Sequence, residues 1–289
     1  MTDTQTVEIG VLGGSGLYNM PEITDKSVHE VETPFGDPSG PIVVGTLRGK
    51  RVAFLPRHGE GHTLSPTTLP YRANIYALKS LGVRYIIAIS ACGSLQEAYA
   101  PGTIMVPDQL YDNTKSDRGR SFFEKGLVAH VSVADPFDEY LRGLLVEALG
   151  QGDGEVHDGG LFITVEGPRF STRGESHLFR NWGCDIIGMT TSPEAYLAAE
   201  AEMAYAVLAH ITDYDVWKEE ETVTAEMVMK TVGKNIELAK QALAEAVEAL
   251  DTNTVCPAHS ALSKAITTQK DAIPSYARER LDLIVGKYL

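Results

Sequence analysis

Two carboxylates, Asp213 and Asp215, stand two residues apart in ITDYDVW, where an apolar run ends. Two residues is the period of a strand, so alternation sends both side chains to one face. Carboxylates that close resist double ionisation, and the pair can hold a proton near neutral pH. That suits general-acid work on a leaving group, although a divalent metal site or a surface turn fits the same spacing. A second set is basic. In LPRHGEGHTLSP, Arg57 offers a bidentate fork for an oxyanion and His58 a second donor beside it. His62 follows His58 at i+4, but the two glycines between them argue against a helical metal pair. Taken alone, this loop also reads as a solvated polar turn.

Two further stretches carry small residues. VEIGVLGGSGLY, residues 7–18, runs from an apolar segment into a glycine cluster holding Ser15. A dinucleotide fingerprint needs a third glycine in register at the start of a helix, and Gly14-Ser15-Gly16 is followed instead by LYNMPE. A nest of backbone amides with the Ser15 hydroxyl, suited to a small anion, is the leading reading over a plain turn. In ISACGSL, Ser90, Ala91, Cys92 and Gly93 end another apolar run. Nothing in the stretch supplies a base for Cys92, which reads as a packed small hydrophobe. Its small neighbours permit close approach of a ligand to the backbone.

The elements that must position these residues alternate. VEIGVLGG, PIVVGTL, RVAFLPRHG, VRYIIAISACGS, GTIMVPDQL, GLFITVEGP, CDIIGMTT and AYAVLAHITDYD read as strands. YRANIYALKSLG, DEYLRGLLVEALG, PEAYLAAEAEM and a long amphipathic stretch from Thr224 to Leu250 read as helices. This alternation predicts an α/β protein, one domain over 1–289, with a central mixed, largely parallel sheet flanked by helices. DTNTVC breaks the long helix as a hinge, and 251–289 follows as a helical tail. Ligands of such sheets collect at the carboxyl ends of the strands. The polar residues there are Ser15, Arg57, His58, Ser90 to Gly93, Glu166 to Ser171, Met189, Thr190, Thr212, Asp213 and Asp215. Together they supply donors for a phosphate and a base.

Composition narrows the partners. A net charge of −14 argues against a nucleic-acid backbone or an anionic membrane as the main partner. Three widely spaced cysteines suit a reducing compartment and show no metal-ligand spacing. The opening MTDTQTVEIG has neither a basic start nor an apolar core, so no export signal and a cytoplasmic location are expected.

In order along residues 7–250, GVLGGSGLY, TPFGDPS, RHGEGH, ACGSL, ITVEGPRFSTRGE, IGMTTSPEAYLAAE and TDYDVWKE closely resemble the trimeric purine nucleoside phosphorylase family. The resemblance implies a nucleoside phosphorylase fold and phosphorolysis of 5′-methylthioadenosine to adenine and 5-methylthioribose 1-phosphate. It implies inorganic phosphate as co-substrate, no metal and no organic cofactor. By the same resemblance Ser15, Arg57, His58, Ser90, Ala91 and Thr190 would hold phosphate. Met189 would meet the ribose, Phe170 would pack on base or sugar, and Ala91, Cys92 and Gly93 would lie against the substrate. Asp213 and Asp215 would bind adenine at N7 and the exocyclic amine. Family members acting on 6-oxopurines carry asparagine where Asp213 stands and glutamate where Ser171 stands. A carboxylate accepts from an amine and repels a carbonyl, so the 6-amino base is favoured over inosine, guanosine or methylthioinosine. Ala225, Val228 and Met229 stand at helical spacing and either line an apolar pocket for the methylthio group or are ordinary core. Assembly into a homotrimer, or a dimer of trimers, is implied, with His130 of a neighbouring subunit closing that pocket.

A non-catalytic nucleoside-binding module is the rival from another class; the acid pair beside a full phosphate kit argues against it. Ser15→Ala is expected to raise the KM for phosphate more than it changes nucleoside binding in steady-state kinetics. The reverse pattern would make the glycine loop only a turn.

Overall fold

The computed structural model describes residues 6–14, 17, 20–152, 155–218 and 223–289, without the side chains of Met227, Met229, Val232, Lys234 and Asn235. Ser15 therefore lies outside the described residues, and so does the side chain of Met229.

Eleven strands form one sheet among the described residues. At its centre is β5 (Tyr85–Ser94), buried along nearly all its length, as its run of Ile, Ala and Ser requires. On one side β5 pairs in parallel with β1 (Ile9–Gly13), which pairs in parallel with β4 (Lys50–Pro56). Antiparallel β3 (Ile42–Leu47) and β2 (Thr24–His29) extend that edge. Across β5 lies β11 (Ala204–Asp213), also parallel, followed by β6 (Ile104–Val106) and β8 (Val156–Asp158). The last residues of β5 turn to a third set, pairing antiparallel with β10 (Ile186–Gly188), then β9 (Leu161–Val165) and β7 (Gln109–Asn113). Six of the ten pairings are parallel, giving the mixed, largely parallel sheet that the alternating pattern predicts.

Helices cover both faces. One apolar core joins α1 (Tyr71–Ser80) and α4 (Thr191–Glu200) to the sheet through Ile75, Leu78, Leu197 and Ala198. The other joins α2 (Glu139–Gly150) and α5 (Ala225–Ala249) through Leu141, Leu145, Ala239 and Leu243. The short α3 (Arg173–Asn181) opens with a reciprocal capping box between Thr172 and Glu175.

Some elements differ from the sequence reading. GTIMVPDQL is two strands, because Pro107 lacks the N–H a ladder needs and the chain leaves one sheet edge for another. Polar β2 has no apolar alternation to betray it, and β8 is only three residues long. The break after α5 is present, but it is pinned where a hinge would be free. Lys50 Nζ donates to the carbonyls of Val247, Glu248 and Leu250, Asp251 N–H donates to Tyr140, and Arg84 donates to the Thr252 carbonyl. The tail's α6 (Ser275–Val285) then buries Ala277, Leu281, Ile284 and Val285 in the α1/α4 core. No helix among the described residues is long and apolar enough to cross a membrane.

Candidate active site

A cavity of about 640 Å³ opens at the carboxyl ends of the strands. Arg57 and His58 reach it from the end of β4, Ser90 to Gly93 from β5, and Phe170 and Ser171 from the segment after β9. Met189 and Thr190 reach it from the end of β10, Thr212, Asp213 and Asp215 from β11, and Ala225 and Val228 from α5. Of the described residues that sequence reasoning assigned to the site, most line this one space; Glu166, Gly167 and Arg169 of the segment after β9 do not, and neither does His130. His130 is exposed and donates its N–H to the Ala265 carbonyl, outside its own chain's cavity.

The two carboxylates meet by a route other than simple alternation. A register shift between Ile211 and Asp213 ends the ladder with β5, and Asp215 then adopts a left-handed backbone, φ 51°. Aspartate tolerates that region better than most side chains. Asp213 Oδ1 accepts the Asp215 N–H at 2.8 Å, and Oδ2 accepts the Thr212 hydroxyl at 2.7 Å. Asp215 is 4% exposed, and burial, with the Asp213 charge adding to it, raises its pKa to about 6. Its Oδ2 is buried without a hydrogen-bond partner among the described residues. Gly93 makes the room: a Cβ there would stand 2.9 Å from Asp213 Oδ1 and 3.4 Å from the Asp215 Cβ.

Arg57 differs from its expected use. Its bidentate fork is turned on Glu194, with Nε and Nη2 each 2.8 Å from a carboxylate oxygen, while Nη1 and Nη2 also donate to the carbonyls of Ile89 and Leu12. One N–H, on Nη1, is left over from the five. Burial works against the Arg57 charge, and Glu194 more than offsets it. Glu194 also accepts the Tyr205 hydroxyl at 2.6 Å. Arg57 and Glu194 are invisible to each other in sequence, 137 residues apart, so the local motif could not reveal that the fork was engaged.

His58 is likewise not the donor that its place beside Arg57 suggests. Nδ1 lies 2.9 Å from the Leu64 carbonyl, which only accepts, so this nitrogen carries the hydrogen. Burial, opposed by that hydrogen bond, and the neighbouring Arg57 bring its pKa down to about 4. The neutral ring thus presents Nε2 as an acceptor. His62 stacks on it with ring centroids 4.2 Å apart. Among the described residues no cluster of histidine, cysteine and carboxylate side chains could hold a metal ion. Burial also pushes the Cys92 thiol far above the ordinary thiol range, consistent with a packing residue.

A second buried arginine, which sequence reasoning missed, fixes the floor of the site. Arg118 donates to the Met189 carbonyl at 2.6 Å, the Ser192 carbonyl at 3.3 Å, and Glu166 through Nε and Nη2. Glu166 also accepts from Thr67 and from the N–H groups of Lys115 and Ser116. Burial acts upward on Glu166, but these hydrogen bonds hold its carboxyl well below the usual range. Thr190 lies between the two carbonyls that Arg118 grips.

An α/β fold whose strand-end cavity holds hydroxyls, one charge-cancelled arginine and a buried acid pair is that of an enzyme acting on a small molecule. Residues 8–249 match the family model of the Phosphorylase superfamily, and the chain belongs to that family. Over 97% of its length the chain is 52% identical to the S-methyl-5′-thioadenosine phosphorylase of Chloroflexus aurantiacus, covering 98% of that protein. It is similar to a crystal structure of methylthioadenosine phosphorylase from an antarctic soil metagenomic library, with a TM-score of 0.92 and 45% identity, covering 97% of this chain and 99% of that one. An adenosine/methylthioadenosine phosphorylase mutant of Schistosoma mansoni in complex with adenine gives a TM-score of 0.80 at 38% identity, covering 86% of this chain and 94% of that one.

Two variants test this geometry. Glu194→Ala strands a buried guanidinium, and chemical denaturation is expected to show a loss of roughly 3–5 kcal/mol. Asp215 carries a folded-state pKa of about 6 against an ordinary 3.8. The stability tied to its protonated form is complete below pH ~4 and lost as pH rises through ~6. Asp215→Asn removes that dependence, so it is expected to gain on the wild type by up to roughly 3 kcal/mol between pH 4 and 7. A constant difference across that range would refute the assignment.

Proposed function

We propose that the chain catalyses the reversible phosphorolysis of 5′-methylthioadenosine, giving adenine and 5-methylthioribose 1-phosphate. The observation that carries this reading is the acid pair, one carboxyl near neutral pKa and one held by hydrogen bonds, in the same cavity as the hydroxyls of Ser90 and Thr190. The similarity to S-methyl-5′-thioadenosine phosphorylases over nearly the whole chain supports it.

Chemistry follows from the charges. A phosphate oxygen bonds to C1′ as the bond from C1′ to N9 breaks, and the electron pair of that bond goes to the base. The sugar turns cationic on the way, and the phosphate opposite stabilises it. A proton reaching N7 makes adenine a neutral leaving group, and a carboxyl that keeps its proton supplies it. In this reading Asp213 and Asp215 bind the base at N7 and at the amine. Ser15, Arg57, His58, Ser90, Ala91 and Thr190 hold phosphate. Met189, Phe170, Ala91, Cys92 and Gly93 enclose sugar and base, and Ser171 with Asp213 selects the 6-amino group.

Arg57 is the one cation among the described residues lining the cavity, and Glu194 cancels its charge. Phosphate is therefore held mostly by dipoles: hydroxyls, backbone N–H groups and the one remaining Arg57 N–H. His58 Nε2, an acceptor, pairs with the protonated oxygen of monohydrogen phosphate. Neither metal nor organic cofactor enters this scheme.

Around the site, Ala225, Val228 and Met229 give the methylthio group its apolar wall. We read the assembly as a homotrimer, or a dimer of such trimers, in which His130 of each chain reaches a neighbour's pocket. Its exposure, and the apolar patch of Tyr111, Leu178 and Trp182, each more than 40% exposed, support an interface. A cytoplasmic location and small-molecule partners, with no nucleic acid or membrane, complete the reading.

Adenine release from methylthioadenosine is expected to require phosphate. Release without phosphate, or binding without turnover, would overturn the reaction. Asp213→Asn is expected to shift kcat/KM by roughly tenfold or more towards methylthioinosine. An unchanged ratio would remove Asp213 from base selection.

A further inference from the structure

His210 stands three residues before Asp213 on β11, opposite Ala91 of β5 and Ile104 of β6. It is 1% exposed, and neither ring nitrogen has a hydrogen-bond partner among the described residues. Burial lowers its pKa to about 4, so at neutral pH the ring carries one N–H donor and one lone pair, both unmet. Such a group is costly to bury, and a leucine or methionine would fill the space without that cost.

The ring lines the cavity of the active site. Ala204, Ala206 and Leu208 pack into the core shared with α2 and α5, and strand alternation sets His210 on that same face. The cavity lining also includes apolar residues of that core, Leu17, Ile89 and Ile236, together with Val228 of α5. On the reading proposed above, the base lies with Asp213 and Asp215 and the phosphate with Ser90 and Thr190. The substrate has one arm left, the 5′ substituent, and the α5 side is the wall left to receive it. A thioether sulfur is a weak acceptor and leaves the ring nearly unsatisfied. A hydroxyl can donate or accept, so it satisfies whichever nitrogen faces it in either tautomer.

We propose that His210 is a specificity-determining residue that reads a polar 5′ substituent, admitting 5′-hydroxyl purine nucleosides beside the 5′-methylthio substrate. This inference rests on the functional reading above for the placement of the substrate arms. It separates recognition of the 5′ group into an apolar part from α5 and one polar contact from the sheet.

The test compares adenosine with 5′-deoxyadenosine, which lacks the oxygen and is otherwise the same. Equilibrium binding and kcat/KM are measured for both, in the wild type, in His210→Met and in His210→Gln. The wild type is expected to prefer adenosine, and the preference is expected to fall roughly tenfold in His210→Met, with His210→Gln retaining most of it. A preference unchanged in His210→Met, or equal losses for both nucleosides in both variants, would reduce His210 to a packing residue. Should His210→Met fail to fold, His210→Leu takes its place: a preference lost there and kept in His210→Gln supports the contact, and the same preference in both variants as in the wild type refutes it. Binding preferences that collapse as expected, in a wild type that releases no adenine with phosphate, would overturn the reaction and leave His210 assigned. Phosphorolysis with unchanged preferences would do the opposite.

Discussion

Arg57 and Glu194 face each other with side chains 3% and 1% exposed, and much of the molecule is arranged around that contact. Two charges so far from water hold only if each has hydrogen bonds to spare, and both do. The guanidinium ties the end of β4 to the Leu12 carbonyl near the end of β1 and to the Ile89 carbonyl in the middle of β5. The carboxylate brings in α4 and, through Tyr205, the start of β11. Four strands and a helix are thus tied together by one buried ion pair. The pair also decides the electrostatics of the cavity, because a cancelled charge cannot attract an anion at long range. On the function proposed above, selectivity for phosphate rests on the shape of a dipole cage, which a strongly acidic protein can build without a basic patch.

Arg118 does for the opposite wall what Arg57 does for the first. It grips the backbone on both sides of Thr190 and is anchored by Glu166, which also gathers the 115–116 backbone. Glu166 and Phe170 belong to one short segment after β9, and Met189 and Thr190 to another after β10. These segments would be loose loops on their own, since neither has a ladder to bond. Charged groups in their midst satisfy the carbonyls and leave the substrate-facing side chains in fixed places.

Between these walls the acid pair occupies a space that glycine creates. The Gly93 position leaves no room for a side chain once Asp213 and Asp215 are present. Asp215 takes a left-handed turn that leaves its carboxyl under cover, where burial raises its pKa to about 6. His210, deeper on the same strand, is kept neutral by the same cause. The cavity thus combines one acid whose pKa is raised to about 6, two imidazoles whose pKa is lowered to about 4 and an arginine whose charge Glu194 answers. Desolvation, more than any charge pair, sets the protonation states facing the substrate.

By itself the sequence determined the strand–helix alternation, and with it the edge of the sheet where ligands collect. Apolar runs ending in glycine, hydroxyl or carboxylate are local patterns, and local sterics and burial decide them. Arg57, His58, Ser90, Thr190, Asp213 and Asp215 could be named as a set for that reason, and the motifs around them carried the family resemblance. Which atoms those residues still have free was decided only by tertiary structure. The Arg57 fork went to a carboxylate 137 residues away, the His58 hydrogen to the Leu64 carbonyl, and the Asp215 proton to a pocket assembled from β5, β10 and β11. Arg118 and His210 gave no local signal, since one is a loop cation and the other a polar break in a buried strand. Long-range contacts and exclusion of water fix hydrogen-bond partners and pKa values, and neither is written in the order of neighbouring residues.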